Sequence, residues 1–509
     1  MALPTQMEDE KSVALAERIT RPPLAPVVLI VIGLLTYANS LSVPFLYDDN
    51  AAIIENGDIR HVWPLWRTPQ DSDRPSINSR PVVRLSLALN YVVGGLDVRG
   101  YHVVNLSIHI GCALLLFGLT RRMLRSPAFR ATYDGPADGI SFMAALLWLV
   151  HPLNSQCVNY VTQRSESLVA LFYLAMLYGL ARAAASGDRR WSGVAIATCC
   201  LGMGAKEVMV MAPVMAWLYD RTFIAGSVVV AMRRRWRLYG ALAGTWLLLA
   251  GLLWSRPHGD SVGFNVGVGP LDYALNQTVA ILHYLRLSVW PDPLVLDYGY
   301  VRTLALGDVA AELLIIAMLL AGTGWALVRH PGIGFAGAWF FVILAPTSSF
   351  VPLIGEVAAE RRVYLSLMAL VVMVVTGAWW AIDRLRPHLP SARPVGIWLG
   401  IGVAVTLATL TIRRNEDFSS VESVWRTVVA ARPDNPRGHS SLGAALADEG
   451  RLKEALEYYE TALSLSPTYP AAHYNKANAL LRMGDAEGAV DHFRMCLTGA
   501  PEDELAPLA

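Results

Sequence analysis

The chain has 509 residues, of which 54% are hydrophobic and only 16% charged, with a formal net charge of +1 and a mean hydropathy of +0.39. Soluble globular domains carry about 25% charged residues, so this composition excludes an ordinary soluble protein. The near-neutral balance also argues against a nucleic-acid partner, which calls for a basic stripe.

Apolar runs close to the ~20 residues needed to cross a bilayer recur through the first four-fifths of the chain. In order, the expected spans are 25–43, 101–120, 140–152, 165–183, 193–205, 208–219, 238–255, 309–328, 333–350, 362–381 and 395–412, about eleven in all. The connections holding Arg121/Arg122/Arg125/Arg130, Arg182/Arg189/Arg190, Arg233/Arg234/Arg235/Arg237 and Arg384/Arg386 then share one side, as the positive-inside rule requires. Residues 1–24, with Lys11, Arg18 and Arg21, form a cytoplasmic tail; residues 25–412 form the membrane domain, and the odd count places the C-terminus outside. Ala38-Asn39-Ser40 faintly resembles a signal-peptidase site, but the apolar run before it is long for a signal segment.

The first span ends in Pro44-Phe45-Leu46-Tyr47-Asp48-Asp49-Asn50, opening a long exoplasmic connection over 44–100. A carboxylate at the bilayer centre costs about 2.5–3.5 kcal/mol on an insertion scale, so Asp48 and Asp49 belong at the watery end. Two adjacent acids there suit proton abstraction or cation binding. The loop also holds Trp63 and Trp66, then an apolar stretch from Pro81 to Leu96 broken by Arg84. Long ordered loops beside a rigid scaffold usually carry function.

Further along, His102, Asn105 and His109 share a helix face, and lining a cavity or satisfying one another is expected of them before metal binding. His151-Pro152 closes the third span, Arg164-Ser165-Glu166 opens the fourth, and Lys206-Glu207 divides the fifth from the sixth. Residues 273–291 are only moderately apolar, carrying Asn276, His283 and Arg286 before Trp290-Pro291, and this predicts an interfacial helix. Glu356, Glu360, Arg361 and Arg362 form a loop before the tenth span. The bland alternatives are an Arg164–Glu166 pair, a plain turn at Lys206-Glu207, and arginines 361 and 362 as interfacial anchors. The five cysteines show no metal or disulfide spacing, and only Cys157 is expected near water.

After Arg413-Arg414 the composition turns soluble, and a 34-residue self-similarity begins. Leu446 recurs as Leu480, Gly450 as Gly484, Ala455 as Ala489, Tyr459 as Phe493, Pro467 as Pro501 and His439 as His473. This period and pattern resemble tetratricopeptide repeats, so 413–509 is read as an exoplasmic solenoid of helical hairpins. It holds a half repeat over 417–433, with Trp425 at the aromatic position, and repeats at 436–467 and 470–501. The fold class is therefore all-α: a polytopic helical membrane domain followed by tetratricopeptide hairpins.

The charged groups at the outer ends have the parts for one reaction. A carboxylate, Asp48 or Asp49, would take the proton of an attacking hydroxyl. Cations, Arg361 first and then Lys206 and Arg362, would neutralise a phosphate leaving group, with Glu207, Arg164, Glu166, His102 and His151 in support. The class is glycosyl transfer from a polyprenyl-phosphate sugar to an acceptor outside the cytoplasm. A divalent cation is compatible with the acids, and a metal role stays open. The rival reading is a non-catalytic membrane-anchored scaffold whose repeats recruit partners. A transporter would call for inverted internal repeats, and none is evident in the membrane half.

Several strings carry a resemblance in this order: Phe45-Leu46-Tyr47-Asp48-Asp49-Asn50, Arg80-Pro81, Gly100-Tyr101-His102, His151-Pro152, Arg164-Ser165-Glu166, Lys206-Glu207, Tyr219-Asp220, Trp290-Pro291-Asp292-Pro293, Asp297-Tyr298, Pro346-Thr347-Ser348 and Glu360-Arg361-Arg362. Together they resemble the transmembrane and tetratricopeptide-repeat O-mannosyltransferases over nearly the whole chain past residue 25. The resemblance implies a type-C glycosyltransferase fold, an acid of the first outer loop as base, a lipid-phosphate sugar donor, a protein or peptide acceptor and inversion at the sugar carbon. The short repeat array, unlike the longer arrays of the eukaryotic members, fits a bacterial inner-membrane relative with an undecaprenyl-type carrier and leaves mannose open.

Overall fold

The computed structural model describes residues 18–63, 80–254, 268–353, 355–389 and 391–499, and every regular element among them is helical. Among the described residues, seven helices are long and apolar enough to cross a membrane: Val98–Leu124, Val161–Ser186, Glu207–Ala225, Val228–Trp254, Leu306–Arg329, Leu367–Leu385 and Ala392–Asp417. The chain is a multi-pass membrane protein.

By length and composition the described residues do not confirm the expected eleven spans. Leu24–Thr36, Ala137–Leu149 and Pro331–Leu344 are apolar but only 13, 13 and 14 residues long. At 1.5 Å per residue they rise roughly 20 Å, short of a ~30 Å hydrocarbon core. Proline explains one of the early endings. His151-Pro152 closes the third expected span just past Leu149, since His151 before the proline is extended (φ −78°, ψ 128°), whereas the ninth ends at Leu344 although Ala345, before Pro346, keeps helical angles. Arg189–Met203 is a further 15-residue helix that starts on two arginines.

The stretch after Arg80 is not loop: Pro81–Gly94 is a helix with proline at its first position. Pro270–Val289, outside the seven, is bonded to loop residues along its length. Tyr273 Oη donates to the Thr347 carbonyl (2.9 Å), Asn276 Nδ2 to that of Arg302 (2.7 Å) and Gln277 Nε2 to that of Val357 (2.9 Å). The Ala359 N–H donates to Tyr284 Oη at 2.9 Å. This helix thus stays with one end of the bundle, where the connections after Thr36, Leu149, Val289 and Leu344 gather.

Helices that leave this end finish on basic residues: Val98–Leu124 at Arg121 and Arg122, and Leu367–Leu385 at Arg384. The last membrane helix, Ala392–Asp417, leads through Phe418–Ser420 into Val421–Ala431, whose first turn is capped by Ser420 Oγ accepting the Ser423 N–H at 3.0 Å. Two hairpins follow, Pro436–Asp448 with Leu452–Leu465 and Pro470–Met483 with Ala486–Gly499.

The 34-residue period is physical. Gly450 and Gly484 both turn the chain at positive φ, +82° and +88°, which only glycine adopts freely. The ring Nε2 of His439 meets the Pro433 carbonyl at 3.0 Å, and His473 meets that of Pro467 at 2.9 Å. Pro501, Trp66 and Lys11, all named above, lie outside the described residues.

Candidate active site

The two adjacent acids have different surroundings. Asp49 is fully buried: the Leu46 and Val161 N–H groups donate to its Oδ2 (3.1 and 3.2 Å) and the Thr162 N–H to its Oδ1 (2.8 Å). Burial raises its pKa to about 7, against three amides that favour the ionised form. Its carboxyl ties the first loop to the start of the Val161–Ser186 helix.

Asp48 is exposed. Its N–H donates to Tyr160 Oη at 3.0 Å. Surrounding protein pushes its pKa up, while Tyr160 and the Arg361 charge pull it down. Tyr47, just before it, has φ of +42°, the only non-glycine among the described residues at positive φ. Such a backbone costs on the order of 1–3 kcal/mol and persists only where the surroundings hold it. Here the Tyr47 ring packs edge-on against Trp425 of the first repeat helix, with centroids 5.6 Å apart.

Arg361 faces this acid from the 345–366 connection. It is paired with Glu356, and its N–H donates to Gln156 Oε1 at 3.0 Å. Burial alone would lower its pKa, but the Glu356 carboxylate reverses this and raises it. Its Nη1 is buried with no hydrogen-bond partner among the described residues. Arg362 behaves differently, donating to the carbonyls of Glu356 (2.9 Å), Thr347 and Val357 (both 3.4 Å) and so stapling its own loop.

Lys206 is buried in an ion pair with Glu166, and Glu207 pairs instead with Arg80 at 3.3 Å. Arg164 does not pair with Glu166. Its guanidinium, fully buried, donates to Asn105 Oδ1 (2.6 Å), Asn90 Oδ1 (2.6 Å), and the carbonyls of Tyr101 (2.9 Å) and Ser86 (3.2 Å). It therefore bolts three helices together.

The histidines are equally committed to backbone. His102 Nε2 meets the Val43 carbonyl at 2.8 Å, His109 lies between Tyr364 Oη (2.8 Å) and the Leu149 carbonyl (2.9 Å), and His151 Nε2 meets the Ser288 carbonyl at 3.2 Å. Cys157, expected near water, is fully buried beneath this layer. It lies on a short helix, Ser155–Asn159, that is buried throughout, and local polarity carried no sign of that.

Glu360 is buried, accepting the Val295 N–H (2.5 Å) and the Tyr298 hydroxyl (3.0 Å) and facing Arg414 at 3.5 Å. No three His, Cys, Asp or Glu side chains among the described residues are grouped to hold a metal ion. The acids nearest Asp48 are engaged by N–H groups or arginines, so the donor set does not fit a divalent cation. A separate cavity of about 610 Å³ is lined by apolar groups such as Leu119, Phe129, Phe335, Trp339 and Met368. Along the Val98–Leu124 helix, Leu119 is 17 residues beyond His102, roughly 25 Å, so this cavity is not the acidic site.

Residues 445–484 match the family model for the TPR repeat. Protein O-mannosyl-transferase TMTC4 of Mus musculus is 25% identical over 500 residues, covering 86% of this chain and 66% of that relative. For TMTC4 of Homo sapiens the values are 26% over 496 residues, 86% and 66%, and for human TMTC3 22% over 526 residues, 93% and 55%. The chain is a homologue of the TMTC protein O-mannosyl-transferases. It spans just under two thirds of the length of the TMTC4 relatives and about half that of TMTC3. No solved structure matches it.

In this TMTC homologue the sequence pattern does not single out Tyr160 and Arg437, which act on Asp48, Gln156, which holds the Arg361 N–H, or Arg414, which faces Glu360. Arg414 alone had a signal, standing where the apolar run gives way to soluble composition.

Proposed function

We propose that the chain is a membrane glycosyltransferase that moves a sugar, mannose in the first instance, from a polyprenyl-phosphate carrier to a protein hydroxyl on the non-cytoplasmic side. The observation that carries this is the division of labour between the two acids: Asp49 is consumed by three amides, whereas Asp48 is exposed beside Tyr160 and Arg361. The names of the relatives supply the reaction class, and the basic residues at the opposite helix ends favour an outward-facing acidic end.

In the proposed step the acceptor hydroxyl loses its proton to the Asp48 carboxylate as its oxygen bonds the sugar anomeric carbon. The bond from that carbon to the phosphate oxygen breaks, and both its electrons leave with the polyprenyl phosphate. One displacement inverts the anomeric centre. Charge growing on the leaving phosphate is met by Arg361, whose Nη1 has no partner among the described residues. Lys206 and Arg362, engaged with Glu166 and with backbone carbonyls, are assigned to holding the site together.

The test is incubation of membranes containing the full chain with labelled polyprenyl-phosphate mannose and a Ser/Thr-rich peptide. Release of polyprenyl phosphate with label on the peptide, lost in Asp48→Asn, supports the proposal. No release in the wild type, with the repeats still capturing proteins, returns the scaffold reading.

A further inference from the structure

Resting on the reading of Asp48 as base, we infer that the first tetratricopeptide hairpin is a fixed wall of the reaction site, and that Arg437, at its start, is a positioning residue for Asp48. The Pro436–Asp448 helix is capped by Asn435, whose Oδ1 accepts the N–H groups of Arg437 and Gly438 at 3.1 and 3.3 Å. From this rigid turn the Arg437 side chain, 13% exposed, leaves its own domain. It pairs with Asp297, donates from Nη1 to the Gly355 carbonyl at 2.5 Å, and lies 4.7 Å over the Tyr300 ring.

Those contacts reach both connections that shape the site. Gly355 directly precedes Glu356, the partner of Arg361. Asp297 directly precedes Tyr298, whose hydroxyl donates to Glu360. Around Arg437 the same seam is closed by Trp425 on Tyr47, by Tyr300 Oη donating to Tyr469 Oη at 3.3 Å, and by Arg302 with Asp434 at 2.9 Å. A module that merely tethered acceptors would have no need to bury an arginine in the membrane domain's loops.

The groups acting on the Asp48 carboxyl are Tyr160 and Tyr47 beside it, Arg361 and Glu356 from the 345–366 connection, and Arg437 from the repeat. Arg437 adds positive potential, favouring the ionised base, so its loss should raise the pH at which Asp48 becomes active.

The experiment is the pH dependence of kcat/KM for release of polyprenyl phosphate from polyprenyl-phosphate mannose, with a Ser/Thr-rich peptide as acceptor and the full chain in detergent. For Arg437→Gln the acid limb should move up by about half a pH unit or more. Arg437→Lys keeps the charge but not the two-armed grip, so it should lower kcat with the limb unmoved. Arg302→Gln, which removes only the exposed bridge at the seam, should change neither. An unmoved limb in Arg437→Gln, or full kcat in Arg437→Lys, overturns the inference while loss of transfer in Asp48→Asn leaves the base reading standing. Full transfer by Asp48→Asn overturns both.

Discussion

Tyr160 Oη receives the backbone N–H of Asp48 at 3.0 Å, and two residues later Thr162 donates its own N–H to Asp49 at 2.8 Å. One short turn of chain thus holds both acids, but only one of them by its carboxylate through backbone amides.

Asp48→Asn is therefore expected to lower sugar transfer by about 10²–10⁴-fold, the usual worth of a general base, with the thermal melt of the detergent-solubilised protein unchanged. Asp49→Asn should instead lower the melt. It sets an amide donor against buried N–H groups, which costs about 1–3 kcal/mol. Full transfer by Asp48→Asn would remove the base assignment.

Arg361→Ala should reduce kcat/KM for the lipid donor by about 10²–10³-fold, as when one charge-stabilising donor is removed from a reaction site. Arg362→Ala, by contrast, frees the Glu356, Thr347 and Val357 carbonyls and should show first as lost stability. Titration of each variant with polyprenyl-phosphate mannose, beside a melt, separates the two roles.

Lys206 and Glu166 are about 90% buried and bonded to each other. Removing one partner strands a charge, so Lys206→Met and Glu166→Met should each cost about 3–5 kcal/mol, whereas the Lys206→Met, Glu166→Met double variant should recover most of it. Chemical unfolding of the four proteins measures the coupling. Additive losses would mean that the pair is not formed.

His151 gives a pH test of stability. Burial, partly offset by the Ser288 carbonyl, holds its pKa down at about 4, against 6.5 when unfolded. Below pH 6.5 the unfolded chain binds the extra proton and the folded one does not, so this contribution is complete above 6.5 and is lost as pH falls toward 4. Its size is on the order of 3 kcal/mol. The difference in melting temperature between pH 7 and pH 5 should shrink in His151→Gln.

The helical character and the repeat were legible in the sequence because each rests on a local period: apolar runs for the membrane segments, and Gly450/Gly484 with His439/His473 for the hairpins. The number of full-length spans was not. Hydropathy does not register that the chain leaves helical geometry at His151 before Pro152, or that the helix from Pro331 stops at Leu344. Asp48 and Asp49 could be singled out as charges beside an apolar run, but the difference between them depends on amides at 161 and 162, more than a hundred residues away. Arg437 was invisible for a similar reason: an arginine on a soluble helix is ordinary until Asp297 and Gly355 are seen beside it. Arg164 and Glu166 looked like a pair because they are two residues apart, yet on a helix that spacing points them to different neighbours.

Arg164 also bears on how the protein is made. Every group that receives its guanidinium (Ser86, Asn90, Tyr101 and Asn105) precedes it in the chain. Synthesis runs from the N-terminus, so the cage that neutralises this charge has already left the ribosome when Arg164 emerges. Membrane insertion therefore need not await any later segment to shelter the arginine, and the fourth expected span can be stitched to its predecessors as it is translated.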